Sequence, residues 1–176
     1  MQRIPVPIVL TLVVLLLAGP VGLLLTGGER PAEAAPRATL DEIAQKAGCT
    51  LTDFADGSTA SNPRVTGRFI ERIWAADGSY VGRRAPSPLA TIHALLHGRV
   101  LFQYRRDLSR DELRALDRLT RRDPEGVLLF ENQTGMRPRV AATAYLSRMT
   151  CPHVDRSVLG ALAAFRDRRR GFMQGF

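Results

Sequence analysis

Residues 4–25 form an apolar stretch of 22 residues without one ionisable side chain, in a chain that is densely charged after it. Its length meets the roughly 20 residues of a membrane-spanning helix. Its unbroken centre, residues 8–18, is closer to the about 7–15 residues of a signal-peptide core. A buried core helix is a third alternative, which the prolines and glycines of the stretch disfavour. We therefore predict that residues 1–28 are an N-terminal apolar helix acting as a signal-anchor or as a cleaved signal segment.

The charge before this stretch predicts its orientation. Arg3 and the amino terminus are positive, and a positive flank stays in the cytoplasm. Residues 29–38 are rich in Gly, Pro, Ala and Glu and are predicted to be a linker. Residues 39–176 would then be an extracytoplasmic α/β domain. The predicted location is the cell membrane, single-pass with the C-terminal domain outside the cytoplasm, or secreted if the leader is cleaved.

Cys49 and Cys151 are the only cysteines of the chain. Disulfides persist outside the cytoplasm, so we predict that the two residues pair. The bridge would close a loop of about 100 residues, which the chain-entropy model values at roughly 4–5 kcal/mol. Two metal ligands, or two unconnected thiols, are the alternatives that the sequence leaves open.

Local signals predict alternating helices and strands after residue 39. Capping boxes begin at Thr39 and Ser109, and two further helices begin after Ser87 and Asp155. Apolar or alternating runs predict strands at 49–54, 69–74, 100–104, 126–130 and 139–145. The order α-β-β-α-β-α-β-β-α predicts an α/β (α+β) fold, with a single mixed β-sheet covered by helices.

His93 and His97 are the most pointed chemical feature of the sequence. Side chains four residues apart share one face of a helix, so the two imidazoles could hold one metal ion, such as copper or zinc. A zinc protease motif would place glutamate directly after the first histidine, where this chain has Ala94. Alternatively, one ring packs against the backbone and the other lies at the negative end of the helix.

A wider metal site would need Cys49 and Cys151 to join the two histidines. His153 would join such a site or lie on the surface. Apart from a transition metal, no cofactor is predicted, because the chain has no glycine-rich phosphate loop. It has no Gly-x-Ser-x-Gly turn either, and the sequence identifies no catalytic residue.

Arginine accounts for almost all of the positive charge, since a single lysine, Lys46, accompanies 24 arginines in a chain of net charge +8. The arginines are dispersed and aromatic residues make up only 6%, so we predict no nucleic-acid partner. The membrane is a predicted partner through residues 4–25. Residues 166–170 would contact anionic envelope polymers or lipid headgroups, or else form a solvated helix face. The sequence predicts no particular protein partner.

Several short motifs resemble a bacterial family known as domain of unknown function 3105. The matching segments are Asn62–Phe69, His93–Gly98 with the following Gln103-Tyr104, and Ala142–Tyr145. Members of that family are typically membrane-anchored or exported proteins of high-GC Gram-positive bacteria. The resemblance covers most of residues 48–170 and implies an extracytoplasmic location, but it implies no particular activity.

Three positions depart from the family pattern. Phe69 stands where the family has histidine, Leu96 where it has glutamate, and Tyr145 where it has tryptophan. If those family residues form a metal or catalytic centre, this chain keeps only its two helical histidines.

The sequence therefore favours a membrane-tethered extracytoplasmic binding or accessory module of the cell envelope. Two alternatives stay open: a copper or zinc protein that uses His93 and His97, and a cell-envelope hydrolase. An enzymatic role is disfavoured without being decided.

Overall fold

The computed structural model describes residues 38–55, 62–68 and 70–171. The predicted leader and nearly all of the predicted linker lie outside the described residues. Within the described ranges, no helix combines the length and the apolarity that crossing a membrane requires. These ranges contain four helices and six strands, in the order α1 Leu40–Lys46, β1 Thr50–Asp53, β2 Gly78–Ser79, α2 Pro88–Leu96, β3 Val100–Tyr104, α3 Arg110–Arg122, β4 Val127–Glu131, β5 Val140–Ala144, β6 Ser147–Cys151 and α4 Arg156–Arg169.

The six strands form one mixed sheet in the order β1-β6-β5-β3-β4-β2. β4 pairs in parallel with β3 and β2, whereas the β3–β5, β5–β6 and β6–β1 pairs are antiparallel. The predicted fold class, a single mixed sheet covered by helices, is confirmed.

Helices cover both faces of the sheet, which is why β3 is buried throughout. Val100, Phe102 and Tyr104 pack on one side, in a core that also contains buried residues of α1, α3 and α4. Leu101 points to the other side, because successive side chains of a strand alternate. There it packs in a second, smaller core with α2.

The predicted helix starts are confirmed at all four helices. Thr39, Ser87, Ser109 and Asp155 are the N-caps, and each side chain accepts a backbone N–H of the first turn. Each such bond spans three residues, so the sequence alone specifies it.

The predicted strand at residues 69–74 is wrong where the structure describes it. Residues 70–74 form a turn and irregular backbone, and the strand that follows, β2, contains only Gly78 and Ser79. The Ile73 carbonyl accepts a hydrogen bond from a side chain of α2 instead of from a neighbouring strand. Of the apolar residues at 70–74, Ile73 packs against the smaller core and Trp74 contacts His93, whereas Ile70 is exposed, so the apolar pattern does not mark one buried strand face.

No strand was predicted at β6, whose side chains alternate between buried and half-buried. It follows β5 through Tyr145 and Leu146, and Leu146 adopts φ 56°, in the left-handed region. Tight hairpin turns of this kind usually contain Gly, Asn or Asp. Because this turn has none, no local signal announced the hairpin.

Cys49 and Cys151 lie at disulfide distance, with their sulfur atoms 2.05 Å apart. This agrees with the predicted pairing. Both residues belong to the core that α1, α3 and α4 cover, whereas the two histidines belong to α2 on the other side of the sheet. The four-ligand site of two cysteines and two histidines is therefore wrong.

Candidate functional site

The two histidines lie at the C-terminal end of α2. His93 is in its last turn and His97 is its C-cap, so one turn of helix separates them. Their ring centroids are 4.7 Å apart, which confirms that they share a face. His93 is only 2% exposed, and its Nδ1 lies 2.9 Å from the Ile73 carbonyl oxygen. Because a carbonyl only accepts, Nδ1 carries the proton of this bond.

Trp74 adds a third ring to the pair. Its ring centroid lies 4.3 Å from that of His93 and 4.9 Å from that of His97. We call Trp74, His93 and His97 the ring cluster. Trp74 is nevertheless 55% exposed, in contrast to the buried His93. The cluster is therefore a packed aromatic group with one large side chain presented to solvent.

Arg99, which directly precedes β3, contacts the exposed Trp74 ring. Its guanidinium carbon lies 4.9 Å from the Trp74 ring centroid, within cation–π range. The Arg99 Nε in turn lies 2.6 Å from Oδ1 of Asp77. The other carboxylate oxygen of Asp77 accepts the Gly126 N–H at 2.8 Å. This chain of contacts ties Trp74 to the loop before β4 and restricts its rotation.

The environment of His97 favours the neutral imidazole. Partial burial removes water from the ring and lowers its pKa below the ordinary value, and the nearby His93 and Arg99 lower it further. A neutral imidazole at neutral pH keeps one ring nitrogen as a hydrogen-bond acceptor or metal ligand.

An open cleft of about 650 Å³ lies beside the ring cluster, with Trp74, His97 and Arg99 in its lining. The charged side chains of its lining balance in sign, with Asp77 and Glu125 against Arg99 and Arg170. Asp77 pairs with Arg99, and Arg170, which also lines the cleft, donates to Asp123 at 2.7 Å and to the Glu125 carbonyl at 2.9 Å. The cleft is therefore polar without a strong net charge.

A metal ion bound at the ring cluster would have few protein ligands. Across the described ranges, no group of three or more His, Cys, Asp and Glu side chains is placed to hold a metal ion. The predicted copper or zinc site of His93 and His97 stays a prediction. His153 lies on the surface, with Nε2 at 3.2 Å from the Asp155 carboxylate, and does not join the pair.

The arginine run of α4 is engaged with the rest of the domain. Arg166 contacts Asp167 and Asp123, and Arg169 contacts Asp53 at 2.8 Å. Arg168 donates to the Ala38 carbonyl at 2.6 Å. These contacts connect the C-terminal end of α4 to residues elsewhere in the domain. The predicted contact of the arginines with polyanions stays a prediction.

Trp74, Arg99 and Asp77 are not among the site residues predicted from the sequence. Trp74 falls in the segment predicted to be a strand, and neither charged residue belongs to a recognised motif. One available signal was that Trp74 is the only tryptophan of the chain.

Comparison with known proteins identifies the family. A family model described as protein of unknown function (DUF3105) matches residues 58–171, which span the ring cluster, five strands of the sheet and three of the helices. No curated protein and no solved structure matches the chain. On the family match, this chain belongs to the DUF3105 family.

Proposed function

We propose that this chain is a membrane-tethered extracytoplasmic binding module of the cell envelope, with Trp74 at the centre of its contact surface. The observation that carries the proposal is the combination of exposure and restraint at Trp74. More than half of its surface meets solvent, although His93, His97 and Arg99 all contact its ring.

A restrained, exposed tryptophan beside an arginine suits the recognition of another protein. Tryptophan and arginine are enriched among the few interface residues that dominate binding energy. A side chain that is already held loses little conformational entropy on binding. The balance of acidic and basic side chains around the cleft favours a partner without a large net charge. The proposed partner is therefore an envelope protein that buries Trp74 in a complementary pocket.

The envelope location is supported by two features. The disulfide distance between Cys49 and Cys151 suits an oxidising compartment. Residues 4–25 have the composition of a membrane anchor or leader.

Cell fractionation tests the location. We expect the chain in the membrane fraction, with both cysteines resistant to alkylation until a reductant is added. Recovery in the cytosol with both thiols already reactive would refute the proposed location.

Photo-crosslinking in isolated envelopes tests the contact surface. Trp74→Ala should weaken capture of the partner by about tenfold or more, as truncation of a binding hot spot does. Ile70→Ala is the matched control, because Ile70 is 47% exposed in the same segment but is not part of the ring cluster. Equal effects of the two substitutions, or no effect of Trp74→Ala, would refute the surface.

A transition-metal site on His93 and His97 is a second candidate. The bond from the His93 Nδ1 to the Ile73 carbonyl resembles the support that metal-binding histidines receive from their second ring nitrogen. The test is metal analysis of the purified full chain after exposure to copper or zinc. Stoichiometric metal should disappear in His93→Ala/His97→Ala and persist in the control His153→Ala. Wild-type protein without metal would eliminate this candidate.

The hydrolase alternative has less support. Among the described residues, the influences on the His97 imidazole are burial, His93 and Arg99, with no carboxylate or hydroxyl hydrogen-bonded to it that would support a catalytic base.

A further inference from the structure

A second cavity lies at the other end of α2, away from the ring cluster. It has a volume of about 210 Å³ and is lined by α2 and the residue Pro86 before it, by β3 and β4, and by the loops at residues 63–64 and 132–134. Its apolar wall consists of Ile92, Leu101 and Phe130, all buried. A concave and mainly apolar wall is a usual attribute of a small-molecule site.

Gln103 supplies the buried polar group of this cavity. It is 6% exposed on a strand whose other residues are apolar, and a buried amide is costly unless it is hydrogen-bonded. Its Oε1 accepts from the Asn132 Nδ2 at 2.7 Å, and its Nε2 donates to the Thr143 hydroxyl at a long 3.4 Å. The amide has two N–H groups, and the second has no acceptor within the part of the chain that the structure describes.

The loops that wall the cavity are tied to one another. The Asn62 amide donates to the Thr134 carbonyl at 3.0 Å, and the Thr134 hydroxyl donates to the Asn62 Oδ1 at 2.6 Å. Asn132 accepts the Thr134 and Met136 backbone N–H groups. These bonds hold the opening in place, so a ligand would meet a preformed site and lose less affinity to ordering the protein.

Arg64 gives the cavity its charge preference. It lines the cavity, is exposed, and has no carboxylate partner among the described residues, unlike the paired arginines of α4. Pro88 and Thr91, from the first turn of α2, also line the cavity, and the partial positive charge of a helix N-terminus favours an anion there. Both features favour a negatively charged group on the ligand.

We infer that this cavity binds a small organic carboxylate with an apolar body of about one ring and a hydrogen-bond acceptor for Gln103. The volume sets the size of the ligand. A cavity of about 150 Å³ holds one benzene ring, and drug-sized ligands occupy roughly 300–1,000 Å³. The carboxylate lies at Arg64, the body lies on Ile92, Leu101 and Phe130, and the acceptor meets the second N–H of Gln103. This site lies beyond the proposed contact surface and does not depend on it.

The test uses the full chain in mild detergent, with ligand titrations followed by NMR. The probe is 4-hydroxybenzoate, which carries a carboxylate, one ring and one acceptor. We expect saturable shifts at millimolar concentration or below, centred on the backbone amides of Gln103, Asn132 and Thr134. The neutral 4-hydroxybenzamide should bind about three- to tenfold more weakly, as expected from the loss of one exposed charge pair or charged hydrogen bond. Benzoate, without the acceptor, should bind about two- to tenfold more weakly.

Two variants and a control locate the site. Arg64→Gln should weaken 4-hydroxybenzoate about three- to tenfold and abolish its advantage over the amide. Thr91→Phe should block the cavity. Arg68→Gln is the control, because Arg68 is exposed nearby but does not line the cavity. Absence of saturable binding, equal binding of acid and amide to the wild type, or binding unchanged by both variants would each overturn the inference.

Discussion

Loss of the Cys49–Cys151 disulfide should remove a large part of the stability of this domain. The two residues are 102 positions apart in sequence. In the chain-entropy model, a closed loop of about this length restricts the unfolded chain enough to contribute about 4.7 kcal/mol at 25 °C. Domains are commonly stable by only about 5–15 kcal/mol, so the protein without the bridge should be folded but marginal.

Urea denaturation of the full chain measures this effect. With a slope of about 2 kcal/mol per molar, the double substitution Cys49→Ala/Cys151→Ala should lower the midpoint by about 2 M. Reduced wild-type protein keeps both sulfur atoms, so agreement between it and the double variant would assign the loss to chain entropy and not to missing core atoms. Reductant should leave the double variant unchanged. A decrease in the free energy of unfolding of less than about 1 kcal/mol would refute the idea that the disulfide stabilises the domain by closing a long loop.

Three further predictions concern local features. For His97, an imidazole NMR titration should show a midpoint below the ordinary histidine pKa. The unfolded chain then binds protons more readily than the folded one. The contribution of His97 to stability should therefore be complete above the ordinary pKa and should decrease as the pH falls from there towards the lowered pKa. Gly98→Ala should destabilise the domain by about 1 kcal/mol or more in thermal unfolding, because φ is +70° and the new Cβ would lie 3.0 Å from the Gly171 Cα; an unchanged melting temperature would contradict that close approach. Ser109→Ala should cost about 1 kcal/mol in the same assay, whereas Ser109→Gly should cost only a few tenths, and equal losses would count against a capping role.

The parts of the fold that the sequence predicted are those that depend on near neighbours. The four N-caps are bonds across three residues, and the apolar runs of β3 and β4 are buried on both faces, as continuous apolar strands usually are. The pairing of two cysteines was predictable because the chain contains only two.

The features that were not predictable depend on contacts distant in sequence. Ile73 and His93 are 20 positions apart, and their hydrogen bond replaces the strand pairing that the local pattern indicated. Two of the three members of the ring cluster were predicted to lie together, because helical spacing brings His93 and His97 together. That spacing does not indicate the position of Trp74. The cavity at Gln103 could not be foreseen, since its walls come from four separate segments of the chain.

The bridge between Cys49 and Cys151 also determines how the domain would bear mechanical load. A pull applied between Ala38 and the end of α4 would pass through the sulfur–sulfur bond, and the chain between the two cysteines would carry no tension. Only the short segments outside the covalent loop, α1 on one side and α4 on the other, could be drawn out. In a stretching experiment the domain should therefore lengthen only by the contour length of these outer segments, because the chain from Cys49 to Cys151 stays covalently closed.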